Sequence, residues 1–284
     1  MKHKHENEVY ILGSESGKKD NFFSGKSRPI LFAFILVISI CIIFFLVNKK
    51  EQVVEYYFEP EHTAQQSIPV ITTDSSETTN EKPIIETTDE IANDVPLLVY
   101  TPHYATMSLI IGMPDESDST TIFAAMAADI RKDNMEIVGD FVLSGNRLSR
   151  GVAKKGYAAI VDRQITIGVG ESTPLLQQAI DQQGSFFRQY PLVHNGEIIE
   201  NRPKNKSIRR ALAVRNGRII IVESKNRESF HDFSQALIDI GISDAIYLVG
   251  GDSYGWYYNK SHVRHEFGKK LADIPENISF IIWR

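Results

Sequence analysis

Ser207-Ile-Arg-Arg-Ala-Leu-Ala-Val-Arg-Asn-Gly-Arg-Ile-Ile-Ile-Val222 is the stretch on which the fold turns. Two apolar runs flank Asn216-Gly217. Both residues tolerate positive φ, as the centre of a two-residue turn requires, so the segment predicts a β-hairpin. A second Asn-Gly pair, Asn195-Gly196, lies between further apolar runs and predicts another. Downstream, Ser229-Phe-His-Asp232 has the spacing of a capping box. Phe230, Phe233, Leu237 and Ile240 recur on one face of the helix it opens, and Gly241 ends it. A strand then runs into Ala245-Ile-Tyr-Leu-Val-Gly-Gly-Asp-Ser253. Glycine removes the side chain that would keep a ligand from the backbone N–H groups, which makes the end of this strand a candidate binding position.

Working outward, Leu97–Tyr100 and Met107–Gly112 read as strands, followed by strands over Glu136–Leu143, Tyr157–Val161, Gln164–Val169 and, at the end, Ile278–Trp283. Apolar Ile122, Phe123, Met126, Ala127 and Ile130 recur at helical spacing and predict a helix over Ser119–Lys132. Thr173-Pro174 opens a second helix that stops at Gly184, with proline where a first-turn N–H has no partner in any case. Hairpins with a few helices predict an α+β domain, with a mixed or mainly antiparallel sheet and packed helices.

The first hundred residues have a different composition. Ile30–Val47 is an uncharged apolar run close to the ~20 residues that cross a bilayer. Lys2, Lys4, Lys18, Lys19, Lys26 and Arg28 precede it and only Lys49 and Lys50 closely follow. That asymmetry places the N-terminus in the cytoplasm. The expected organisation is a cytoplasmic tail over 1–29, a transmembrane helix over 30–47, a disordered acidic stalk over 48–93 and a single extracytoplasmic domain, periplasmic or extracellular, over 94–284. The single cysteine, Cys41, falls in the apolar run, so the outer part has no disulfide and no thiolate metal site. A net charge of -5 argues against a nucleic-acid binder. No metal or cofactor is expected, the spacing of His262, His265 and Glu266 being generic.

The chain from about Met135 onward resembles the phosphodiester glycosidase family. In that family an Arg-Thr-Ala-Ile-Gly strand precedes a helix and a Leu-Asp-Gly-Gly-Gly-Ser turn. The matching segments here are Arg209-Arg-Ala-Leu-Ala213 and Leu248-Val-Gly-Gly-Asp-Ser253. Val249 stands in the place of the family's aspartate and Asp252 in that of its third glycine. The family's Asn-Gly-Gly-Phe-Phe element falls on Val138-Gly-Asp-Phe-Val142, so Asp140 again takes a glycine's place.

The resemblance implies hydrolysis of a glycosyl phosphodiester at its glycosidic bond. Arg209 would fork onto the phosphate. Gly250, Gly251 and Ser253 would orient the sugar, with Arg188 and Gln189 on the substrate side. Asp140, Asp252 and Glu223 are the candidates for moving protons. Tyr254, Trp256, Tyr257 and Tyr258 offer ring faces to a sugar. Two rival readings follow from the same residues: a non-catalytic carbohydrate-binding or envelope-interaction domain, and a stalked partner-binding module that uses the aromatic cluster as an interface.

Overall fold

The computed structural model describes residues 81–270 and 275–284. The expected tail, membrane anchor and most of the stalk lie outside them. Among the described residues no helix is long and apolar enough to cross a membrane. All described elements belong to the compact unit Gln65–Arg284.

The architecture is mainly antiparallel β, which corrects the α+β expectation. Three sheets hold β1 (Ile84–Ala92) to β17 (Ser279–Trp283), against two short helices, α1 (Pro174–Asp181) and α2 (Phe230–Asp239). The largest sheet, which includes β2 (Val95–His103), has the order β1-β2-β13-β12-β14-β10-β11. Its middle is the hairpin read from Asn216-Gly217, with β12 (Arg210–Arg215) paired to β13 (Arg218–Ser224) and, on its other side, to β14 (Ile242–Leu248). Asn216 and Gly217 have φ of 52° and 72°, as the turn demands. Next to β14 lie β10 (Pro191–His194) and β11 (Glu197–Ile198), the second Asn-Gly hairpin.

With β3 (Met107–Ile111), β5 (Phe141–Leu143), β6 (Asn146–Ser149), β8 (Gln164–Val169) and β16 (Arg264–Phe267), two further sheets have the orders β16-β15-β4-β17-β3 and β6-β5-β9-β7-β8. The strands that matter below are β4 (Phe123–Met126), β15 (Gly255–Tyr258), β7 (Gly156–Val161) and β9 (Ser185–Gln189). One core cluster gathers a face from every sheet, including Leu212, Ile221 and Ile246 from the first, Phe123 and Ile281 from the second, and Phe141, Ala158 and Phe187 from the third. The opposite face of the largest sheet carries Ala211, Ala213, Ile220 and Tyr247 under Phe230, Phe233 and Leu237 of α2. Full burial of each such aliphatic or aromatic side chain contributes roughly 1.5–3 kcal/mol. Ser229 caps α2 by accepting the Asp232 N–H at 3.0 Å, as its spacing predicts.

Several expectations fail for identifiable reasons. Ser119–Lys132 is not a helix; it contains β4, with Phe123 and Ala125 in the central core and Ala124 in a different cluster, packed by Met126. A strand buried on both faces is a continuous apolar run, and over so short a length this mimics helical periodicity. Asp118 supports the entry as a turn instead, accepting the Thr120 N–H at 2.9 Å. Of Glu136–Leu143 only Phe141–Leu143 is a strand. The stalk boundary at residue 93 is also displaced, because Ile84–Ala92 pairs along its whole length with β2 (Val95–His103). Thr88 and Asp89, on opposite faces of this edge strand, are exposed, and Glu86 and Glu90 are half-buried; that composition reads as unstructured when the strand's partner is unknown.

Candidate functional site

Strand alternation decides which polar residues meet. Arg209 and Arg210 are neighbours in sequence and point to opposite faces of the largest sheet. Arg209 turns toward α2: its guanidinium carbon lies 3.9 Å from the Phe230 ring centre and 5.8 Å from that of Tyr247. Its Nε donates to Glu228 O at 2.9 Å and its Nη2 to Asn205 O. Arg210 turns the other way and holds Glu223, with Nε donating to the carboxylate at 2.7 Å. Its Nη1 donates to Val249 O at 2.9 Å and to Ser253 Oγ at 3.0 Å. The arginine that ties β12 to the Gly-Gly turn is therefore Arg210, whereas Arg209 fastens the 205–228 loops.

The turn stays close to Arg209 all the same. The Tyr247 hydroxyl accepts the Gly250 N–H at 3.0 Å, so one tyrosine touches both. Gly251, at φ 65°, donates its N–H to Ile208 O at 2.8 Å. A Cβ on Gly250 would stand 2.4 Å from that same carbonyl, so glycine here permits backbone to approach backbone. Both amides serve the fold rather than facing an open ligand position. Trp256 and Tyr254 are buried, with the Trp256 ring covered by the Arg264 guanidinium at 4.6 Å, so neither offers an exposed ring face.

The expected carboxylates do not converge. Asp140 is buried in a double ion pair, accepting Arg147 Nη2 at 2.5 Å, Arg188 Nε at 2.9 Å and the Gly151 N–H at 3.1 Å. Burial alone would raise its pKa; these hydrogen bonds outweigh it and hold the carboxyl below the usual range. Arg188 also donates to Gly170 O at 2.7 Å and Glu171 O at 2.6 Å, on the outer face of its sheet. Glu223 is committed to Arg210. Asp252 is 84 % exposed, with Lys269 Nζ at 3.7 Å.

A different polar group gathers where strands β4, β9 and β14 end. Lys154, only 5 % exposed, places its ammonium on Asp129 and within 2.9 Å of Gln189 Oε1. Gln189 Nε2 reaches Ala127 O at 3.3 Å. The ammonium lies 4.5 Å from the Tyr190 ring centre, and Tyr190 O accepts the Tyr247 N–H at 2.8 Å. Val249 N–H, at the start of the turn, bonds Met126 O at 3.2 Å. Asp129, Lys154, Gln189, Tyr190, Tyr247 and Gly250 thus form one connected group. Burial pulls the Lys154 pKa down, partly offset by Asp129. Burial, then Asp129 and Tyr247, push the Tyr190 hydroxyl up. Asp129 is 32 % exposed and is the member of the Lys154 pair that solvent or a ligand can reach.

Of the residues expected from sequence, Arg209, Gly250, Gly251 and Gln189 lie in or beside this group. Ser253 and Glu223 are held by Arg210, Arg188 and Asp140 form their own buried pair, and Asp252 lies out in solvent. Asp129 and Lys154 were not expected. Asp129 sat inside a span read as helix, and Lys154-Lys155 looks like any solvated pair, although only Lys155 is exposed, facing Glu171.

Residues 120–281 match the sequence pattern of the phosphodiester glycosidase family. The chain belongs to this family. No curated protein matches it by sequence. Among solved structures, the catalytic domain of zebrafish N-acetylglucosamine-1-phosphodiester alpha-N-acetylglucosaminidase, auto-inhibited by its pro-peptide, is similar at 12 % identity. Its TM-score is 0.51, over 75 % of this chain and 85 % of that one. A hypothetical protein from Synechocystis is similar at 13 % identity and a TM-score of 0.52, over 72 % of this chain and 62 % of the other. At these identities the likeness is one of fold.

Proposed function

We propose that this phosphodiester glycosidase domain hydrolyses a glycosyl phosphodiester, breaking the bond between the anomeric carbon and the phosphate oxygen and releasing a free sugar and a phosphomonoester. The observation that carries the reading is the Asp129–Lys154–Gln189 group beside the Gly250 turn. Cleavage requires water to attack the anomeric carbon while negative charge develops on the departing phosphate. A phosphomonoester leaves readily, its second pKa being about 6, so a strong acid opposite the base is not essential. One reachable carboxylate then suffices: Asp129 takes the proton from water, and the Lys154 ammonium, with Arg209 behind Tyr247, stabilises the phosphate charge.

Placement outside the cytoplasm, in envelope glycan metabolism, belongs to the same proposal. It is supported by the uncharged run Ile30–Val47 and the excess of lysine and arginine before it. Protease added to intact cells or spheroplasts should cut between residues 51 and 80; full protection refutes that placement.

The chemistry is tested with a chain beginning at Gln65, the first residue of the compact unit. It should release sugar from UDP-N-acetylglucosamine or another glycosyl phosphodiester, and Asp129→Asn should lower kcat/KM at least about 100-fold at temperatures where the variant is fully folded, although removing the carboxylate beside the buried Lys154 ammonium should also lower the unfolding midpoint. The commitment of Asp140 and Glu223 to buried arginines favours the rival, a carbohydrate-binding domain without turnover. Saturable glycan binding with no sugar release across such substrates decides for it.

A further inference from the structure

Beside the polar group, on the outer face of the second sheet, lies a cleft of about 250 Å³. Met113, Met126, Val249, Tyr254, Ile278 and Phe280 make most of its lining; Gly250, Asp252 and Ser253 complete it. Its polar groups are largely engaged elsewhere. Ser253 Oγ donates to Val249 O at 2.5 Å and accepts from Arg210, the Tyr254 hydroxyl accepts Arg264 Nη2 at 3.0 Å, and the Gly250 N–H is on Tyr247. A sugar ring placed here would find one open partner, the exposed Asp252 carboxylate at the rim, and would bury its other hydroxyls unpaired, a cost a hydrocarbon does not incur.

The cleft and the buried ammonium share a wall. Met126 lines the cleft and accepts the Val249 N–H, while the next carbonyl, Ala127 O, accepts Gln189 Nε2, whose Oε1 receives Lys154. Apolar space on one side of a strand end and a cation on the other match a molecule with a hydrocarbon tail and an anionic head.

We propose that the cleft between Met113, Met126, Val249 and Phe280 binds the hydrocarbon part of an amphiphilic substrate, an alkyl or isoprenoid chain on the phosphate of a glycosyl phosphodiester. The head group rests on the hydrolase reading; the tail site does not. Taking the ~30 Å³ that one water occupies in the liquid as the size of a methylene, the cleft covers a chain of on the order of eight carbons.

The test is calorimetric titration of the Gln65–Arg284 chain with n-alkyl phosphates from four to twelve carbons, below their aggregation concentrations, with inorganic phosphate as the chain-free control. Kd should tighten about fourfold per added methylene up to about eight carbons and then level off. Val249→Asp, and separately Met113→Glu, should flatten the series while leaving the unfolding midpoint near wild type. An affinity independent of chain length, or a length dependence that survives both substitutions, overturns the proposal. Asp129→Asn should leave the series intact, which separates this site from the chemistry: an intact series without sugar release refutes only the hydrolase reading, and sugar release with a flat series refutes only the tail site.

Discussion

Replacing Asp140 by asparagine keeps the side chain's shape and removes its charge, and the consequence follows from what faces it. Arg188 has no side-chain exposure, and Arg147 lies against the other carboxylate oxygen. Leaving a buried ion-pair partner uncompensated costs about 3–5 kcal/mol. Arg188 keeps the Gly170 and Glu171 carbonyls, which places the expected loss at the lower end, about 3 kcal/mol. With a urea m-value of about 2 kcal/mol per molar, the unfolding midpoint should fall by about 1.5 M at neutral pH. The pH dependence has a definite sign. The folded carboxyl titrates below its ordinary 3.8, so as pH drops the unfolded chain takes up the proton first. The contribution is therefore complete above about 3.8 and is lost as pH falls toward the lowered folded value, and the gap between wild type and Asp140→Asn should close over that window. Urea melts at a series of pH values measure this. A midpoint shift under about 0.3 M, or a gap that persists unchanged to pH 3, refutes the structural role. A variant that is fully stable yet inactive returns Asp140 to the chemistry.

Three further outcomes follow from the same contacts. Arg210→Met leaves Glu223 without its cation and frees the Ser253 end of the turn, so it should destabilise by about 3–5 kcal/mol, read by urea melts. Gly250→Ala pushes a methyl against Ile208 O and should cost about 1–3 kcal/mol, whereas Gly217→Ala meets no neighbour and is strained only through its positive φ. Asp252→Asn, at an exposed carboxylate, should leave both sugar release and the melting midpoint unchanged; a large loss of turnover would restore it as a proton carrier.

The short-range features were legible because their causes are local. Positive φ at Asn216-Gly217 and Asn195-Gly196, the Ser229 cap and the proline at the start of α1 each depend on a handful of adjacent atoms, and all stand where the residues predict them. The motif order from β12 to the Gly-Gly turn pointed to the family for the same reason. Strands hidden by burial, and the edge strand β1, were not legible. β4 reads as helix because both its faces are covered, and β1 reads as stalk because its partner β2 supplies the order.

The sequence by itself determined the turns, the hairpin at the centre of the largest sheet, and the family's Arg-to-Gly-Gly arrangement. Only the tertiary structure decided which charges are used up and which remain reachable. Arg209 and Arg210, or Arg188 and Gln189, are adjacent in the chain yet face opposite sides of a sheet, and each has a partner from another segment: Glu228, Glu223, Asp140 and Lys154 respectively. The pairing of Lys154 with Asp129 spans 25 positions, and that of Asp140 with Arg188 spans 48. An ionisable group's role is set by burial and by the charge beside it, and both belong to the packed molecule rather than to any one stretch of residues.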